Sequence, residues 1–375
     1  MRRAYFLQVP NGGYNNPMTE GDAFLRAICE EPDEDTSRLA YADWLDEHGD
    51  HDRAEFIRVQ CELALLPANA DGRRLEVRAN ELLGRHMWEW VGDLRDLVRE
   101  HRFVRGFVEE AEVDADVFLN CPDNIFRQAP LRKVFIRTTL ELLPAVTASP
   151  DLSRFRTLRL GLDLGDHGAD IIAHSPLLMG VRELDLGNNA LSPIGIETLA
   201  ESSYLTELTT LGLADNRLGL WNLTGSFFHL NHFPNLGVLD LSRNEIGVEG
   251  VLALARSPAV LGLRTLMLSG NPLGSNGAWP LTTTTLLSEH GVLSDLDLTG
   301  CELGDAGAVD MAWAQWGGRL QSLNLAYNDI RMEGAKALAE SPFLTSLKEL
   351  NLVGNPLTAE CSSVLRGRFG DKVLL

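Results

Sequence analysis

Hydrophobic residues recur along the chain in two rhythms. In the second half the pattern Leu-x-x-Leu-x-Leu-x-x-Asn returns seven times, as VRELDLGNN from Val181, LTTLGLADN from Leu208, LGVLDLSRN from Leu236, LRTLMLSGN from Leu263, LSDLDLTGC from Leu293, LQSLNLAYN from Leu320 and LKELNLVGN from Leu347. Two looser copies precede them, LRKVFIRTT from Leu131 and FRTLRLGLD from Phe155, with Thr139 or Asp163 at the Asn position. The fourth and sixth positions of each copy are two apart, so on a short strand they share one side, and the residues between them face the other way. Asn189, Asn216, Asn244, Asn271, Asn328 and Asn355 end the strands. There a side-chain amide can pair turn groups that would cost about 1–3 kcal/mol each if left unpaired. Cys301 takes that place in one copy. Between strands, apolar residues three and four apart, such as Val248, Val251, Leu252 and Ala255 or Met332, Ala335, Leu338 and Ala339, predict a helix. Each repeat is thus strand, turn, helix. A weaker strand, FVRGFVEEAEV from Phe103, caps the series.

The front of the chain has the helical rhythm alone. Thr19-Glu20-Gly21-Asp22 has the form of a helix N-cap with an acidic third position, opening a helix through Phe24, Leu25 and Ile28. Pro32 breaks it, and Thr36 is the expected cap of a second helix carrying Leu39, Tyr41, Trp44 and Leu45 and stopped by Gly49. A third helix is expected from about Asp52 to Leu66, with Phe56, Ile57 and Leu63 on one side, and a longer helical region from about Gly72 to Glu100. The pattern divides the chain into an extension over 1–17, a helical domain over 18–102 and a repeat domain over 103–375.

Repeats of about 27 residues containing a full helix resemble the ribonuclease-inhibitor-like class of leucine-rich repeats, over roughly residues 103 to 375. That resemblance implies an α/β leucine-rich-repeat solenoid, a horseshoe with parallel strands inside and helices outside, working by binding other macromolecules. A second resemblance rests on Arg38-Leu39-Ala40-Tyr41-Ala42-Asp43-Trp44-Leu45 and Glu55-Phe56-Ile57-Arg58. This run is similar to the repeat-companion domain of planctomycete-type bacterial proteins, over about residues 18 to 66. It implies a bacterial source and, because that domain tends to open its protein, Met18 as the natural start. It brings no activity with it.

Charge narrows the class of partner. Lys plus Arg at 33 against Asp plus Glu at 53 leaves a formal charge of −20, which disfavours nucleic acid and anionic membrane surfaces. The five cysteines, Cys29, Cys61, Cys121, Cys301 and Cys361, are odd in number and never closer than 32 positions, which suggests neither a disulfide framework nor a metal knuckle. The apolar run after Met1 is broken by Gln8 and Pro10, too short for a signal peptide. These features point to a cytoplasmic monomer that needs no cofactor or metal. The Asn222-Leu223-Thr224 sequon is read as chance.

Candidate chemistry is sparse. No lysine follows a glycine, and neither Gly-x-Ser-x-Gly nor His-Glu-x-x-His occurs, so the expectation is a protein without catalytic activity. Asp43, Asp46, Glu47, Asp50 and Asp52 with His48 and His51 are either a cation site or, more simply, a solvated helix end. His229 and His232 are either a metal pair or part of an aromatic-filled segment from Trp221 to Phe233. Tyr41 and Trp44, three apart, are a partner-binding pair or helix packing. The outward strand positions form the main candidate surface. The first two repeats offer Arg132, Lys133, Arg137, Arg156 and Arg159 without an acid, and later ones offer Glu183, Asp185, Asp215, Asp240, Asp295 and Asp297. This bipolar concave face is expected to bind a protein partner. The alternatives are a regulator of an enzyme, such as a GTPase activator or inhibitor, and a catalytic front domain.

Overall fold

The structure, a computed structural model, describes residues 19–66, 71–121, 129–219, 233–284, 287 and 289–375. The described residues form two compact units. The first takes in the chain up to Leu94 with Arg102–Glu109 and residues 129–130, and the second takes in Arg95–His101, residues 110–121 and Leu131–Leu375. The extension over 1–17, Met18, and the His229 and His232 pair lie outside the described residues.

The first unit is built on four helices, α1 (Glu20–Glu30), α2 (Asp35–Glu47), α3 (His51–Leu65) and α4 (Arg73–Val91). Thr19 and Asp22 close a reciprocal capping box on α1, each side chain accepting from the other's backbone N–H, at 3.1 and 3.0 Å. The start of α2 differs from the expectation at Thr36. The helix begins two residues earlier, at Asp35 after the cap position Glu34, and no side chain caps it. Gly49, with φ of +86°, ends the turn after α2, and Asp50 accepts from the Arg53 N–H at 3.2 Å to cap α3. Ile28, Ala42, Leu45, Ala54, Ile57, Cys61 and Phe107 make the core, with Leu25, Tyr41 and Trp44 packed on it. Tyr41 and Trp44 stack with centroids 5.8 Å apart, so the pair serves packing.

Two arginines lie inside this unit. Arg38 is fully buried and pairs with buried Glu109 at 2.8 Å, and it also donates to the carbonyls of Pro32 and Arg105. Arg53 is ringed by Phe56, Trp90, Phe103 and Phe107, its guanidinium 4.8 Å from the Trp90 ring centroid. No carboxylate pairs with it among the described residues, and burial pulls its pKa down to about 10.

The run expected as one capping strand from Phe103 is two, β1 (Glu100–Val104) and β2 (Phe107–Asp114). Arg105 and Gly106 both take positive φ and cut it. Gly106 donates its N–H to Gln60 Oε1 at 2.8 Å, and a Cβ there would meet Ile57 at 2.5 Å, so only glycine fits.

In the second unit the strands lie parallel in chain order: the end of β2, then β3 (Lys133–Arg137), β4 (Thr157–Leu160), β5 (Glu183–Asp185), β6 (Thr210–Gly212), β7 (Val238–Asp240), β8 (Thr265–Met267), β9 (Asp295–Asp297), β10 (Ser322–Asn324), β11 (Glu349–Asn351) and β12 (Val373–Leu374). The register aligns one buried residue per strand into a column, running Val134, Leu158, Leu184, Leu211, Leu239, Leu266, Leu296, Leu323 and Leu350. Helices such as Val248–Arg256 and Met332–Glu340 cover the other side of this core. In the first of these the buried face is Val251, Leu254 and Ala255, and Val248 and Leu252 are only half-buried. The face therefore lies slightly rotated from the one the spacing predicts.

The asparagines join one repeat to the next. Asn271 donates to the carbonyls of Leu241 and Leu268 and accepts from the N–H groups of Asn244 and Ile246. Asn216, Asn328 and Asn355 repeat the arrangement. Cys301 keeps the donor role, its thiol reaching the Leu268 carbonyl at 3.2 Å.

All five cysteines are free thiols. Burial pushes the thiols of Cys61 and Cys301 up to about 11 and about 12, and Cys361 is buried as well. A thiol reagent at neutral pH should modify only Cys29 and Cys121 quickly in the native protein, and all five after denaturation. Peptide mapping that found Cys301 among the fast sites would contradict the packing described.

Candidate functional site

Every short strand of the second unit alternates half-exposed, buried, half-exposed or a close variant, so one face of the sheet carries outward side chains free of the helices. The parallel register sets these in two rows. One row runs Glu110, Lys133, Thr157, Glu183, Thr210, Val238, Thr265, Asp295, Ser322 and Glu349. The other runs Glu112, Phe135, Arg159, Asp185, Gly212, Asp240, Met267, Asp297, Asn324 and Asn351.

Where β6 crosses the second row the side chain is missing. Gly212 and the nearby Gly187 and Ala214 leave a trough of about 350 Å³ whose walls carry Lys133, Arg159, Glu183, Asp185, Asp215, Asp240, Arg243 and Met267. Arg159 holds Asp185 at 3.4 Å and lies 4.4 Å from the Phe135 ring centroid. Across the trough, Arg243 donates to both carboxylate oxygens of Asp215, through Nε at 2.6 Å. These bonds hold the Asp215 carboxyl below its usual range and raise the Arg243 guanidinium. Each pair is about half exposed, so it adds little stability, and its charges stay available to a partner.

Several of the acids also serve the backbone. Asp185, Asp240 and Asp297 each accept from the N–H two residues on, that of Gly187, Ser242 and Thr299, at 2.8, 2.9 and 2.9 Å. Asn324 and Asn351 make the same turn without a charge. The turn therefore needs only the oxygen, and the charge is surplus to it.

The structure sorts the expected surface residues into separate groups. Lys133, Arg159, Glu183, Asp185, Asp215 and Asp240 line the trough. Asp295 and Asp297 continue the same face on β9. Arg156 turns aside, donating to the Gly180 carbonyl at 2.7 Å, and Arg132 is half-buried one residue ahead of β3. The first two repeats carry no acid at their outward strand positions, but the preceding strand brings acids to this basic end. The end of β2 lies in register with β3, bringing Glu110 opposite Lys133 and placing Glu112 and Asp114 3.1 and 3.8 Å from Arg137. Phe135, Arg243 and the gap at Gly212 were not singled out from the sequence. The glycine at an outward position of LTTLGLADN was the available signal.

The front acidic cluster is spent on pairing. Asp43 and Asp46 both meet Arg58, Asp46 also meets His51, Asp50 caps α3, and Asp52 bridges Arg85 and His86. Among the described residues no three His, Cys, Asp or Glu side chains are grouped to hold a metal ion, and no helix is long and apolar enough to cross a membrane.

Similarity to known proteins follows the repeats. The family model for the leucine-rich repeat matches residues 181–200, 234–255, 292–312 and 320–339. The Tonsoku-like protein of Mus musculus is 32% identical over 229 residues, 56% of this chain and 16% of that protein. The ribonuclease inhibitor of Sus scrofa is 29% identical over 180 residues, 47% of this chain and 40% of that protein. This chain thus matches well under half the length of either relative. A crystal structure of a Bacteroides fragilis protein aligns with 14% identity and a TM-score of 0.47 over 81% of this chain and 83% of that one.

Proposed function

We propose that this leucine-rich-repeat solenoid is a non-catalytic scaffold that binds a protein partner through the helix-free face of its sheet, with the trough at Gly212 as the centre of contact. The observation that carries the reading is the trough itself. Seven charged side chains and Met267 surround a gap left by residues without bulk, and the charges exceed what the turns and ion pairs need for stability. A partner side chain entering the gap would meet preformed Arg–Asp pairs whose geometry is already fixed by the strands, which lowers the cost of ordering the site. The formal charge of −20 and the acids on the rows argue for a protein in preference to nucleic acid.

A second reading is favoured by one comparison. The likeness to a ribonuclease inhibitor over 180 residues supports regulation of an enzyme by occupation of its surface. It differs from a passive scaffold in that the partner's turnover changes on binding.

The test uses a partner captured with the wild-type chain and purified. Lys133→Glu with Arg159→Glu should slow association and flatten its salt dependence, because charges at a contact rim act through steering. Thr210→Trp should weaken the complex by filling the gap. Both variants should fold, since these side chains point away from the leucine column. If both are folded and bind with unchanged rate, affinity and salt response, the proposal fails.

A further inference from the structure

On the helical side of the second unit, two tryptophans stand out of the surface. Trp279 is 51% exposed and Trp313 61%, whereas Trp316 is buried with its indole N–H donated to the Leu281 carbonyl at 2.9 Å. The exposed pair line one cleft of about 480 Å³. Phe343 packs edge-on against Trp313 with centroids 6.3 Å apart, which sets the plane of that ring.

The cleft is also charged in one sense only. Asp310 lines it, and among the described residues neither Lys, Arg nor His does. Among the described residues no hydrogen-bond donor or cation meets the Asp310 side chain, and partial burial raises its pKa. Asp310 stands in the last turn of the helix Gly304–Ala312, where the helix dipole also disfavours a carboxylate. The threonine hydroxyls of the cleft are already donated, those of Thr282 and Thr283 to the Trp279 carbonyl and that of Thr284 to Ala255. Those hydroxyls are therefore not available to donate to a sugar, and Gln315 is the remaining neutral polar side chain of the lining.

From the two exposed indoles and the single unpartnered carboxylate between helices, we infer that this cleft is a second binding site, taking an arginine side chain of a partner polypeptide. A planar guanidinium stacks on indole faces and presents paired N–H groups to a carboxylate, which an ammonium or a neutral group does less well. The site is separate from the trough and does not depend on it.

The test uses the full chain and two capped tripeptides, Gly-Arg-Gly and Gly-citrulline-Gly. The indole N–H resonances of Trp279 and Trp313 are assigned with Trp279→Phe and Trp313→Phe. The arginine peptide should shift both resonances and the citrulline peptide neither. Asp310→Asn should weaken the arginine peptide about tenfold while melting no lower than wild type. The Lys133→Glu, Arg159→Glu variant should bind it like wild type, so failure of the trough proposal leaves this one standing. Equal shifts from both peptides, no shift from either, or an unchanged affinity in Asp310→Asn would overturn the inference. So would a hexose that shifts the two indoles where the arginine peptide does not.

Discussion

Asn271→Ala should destabilise the repeat unit by about 3 kcal/mol. The side chain is buried and serves four backbone groups, the carbonyls of Leu241 and Leu268 and the N–H groups of Asn244 and Ile246. Removing it leaves three buried groups unpaired, at about 1 kcal/mol each on the low side, because the Leu268 carbonyl keeps the Cys301 thiol as a donor. Two comparisons separate this cause from simple loss of volume. Asn271→Cys should cost less, because Cys301 shows that a thiol at this position still donates to two carbonyls. Asn244→Ala should also cost less, since among the described residues Asn244 Oδ1 accepts no bond and its donated bonds, to Leu213 and Ser242, are what is lost. Denaturant melts that ranked the three variants equally, or a loss below about 1 kcal/mol for Asn271→Ala, would refute the ladder as a source of stability.

Arg38→Met should cost the first unit about 3–5 kcal/mol, because it removes the buried cation 2.8 Å from the buried Glu109 carboxylate. The loss should be largely recovered in the double variant Arg38→Met, Glu109→Gln, where neither position of the buried pair carries a charge. Arg53→Met is the opposite case. No carboxylate depends on Arg53 among the described residues, and the aromatic ring contacts it loses are offset by relief from burying a cation, so the change should stay within about 1 kcal/mol. Equal losses for Arg38→Met and the double variant would show that packing, not charge, is what Arg38 supplies.

Residues that act through their own strand or helix were legible. Leu184, Leu211, Leu239, Leu266 and Leu323 stand where the period of two placed them, and Thr19 caps α1 as the sequence suggested. The asparagines were placed at the right positions, but their bonds cross to the neighbouring repeat as well as serving their own turn. The candidate surface was legible in outline and not in detail. Arg137 looks unpaired until β2 is seen beside β3, and Arg156 looks outward until its guanidinium is seen on the Gly180 carbonyl. Nothing in the local sequence distinguishes Trp316, which is buried, from Trp313, which is not.

The sequence by itself determined the repeat, its strand-turn-helix order, the side of each strand that faces the core and the helical character of the front unit. Periodicity and capping are local, set by neighbours two to four positions away, and hydrophobic burial follows from them directly. Only the tertiary structure decided which charges remain free, which aromatic rings reach the surface, and that Arg38 meets Glu109. Those outcomes depend on register between strands 23 to 30 residues apart, or on a chain segment about seventy residues away returning to the same core. A charge or an indole carries no local sign of what will be packed against it.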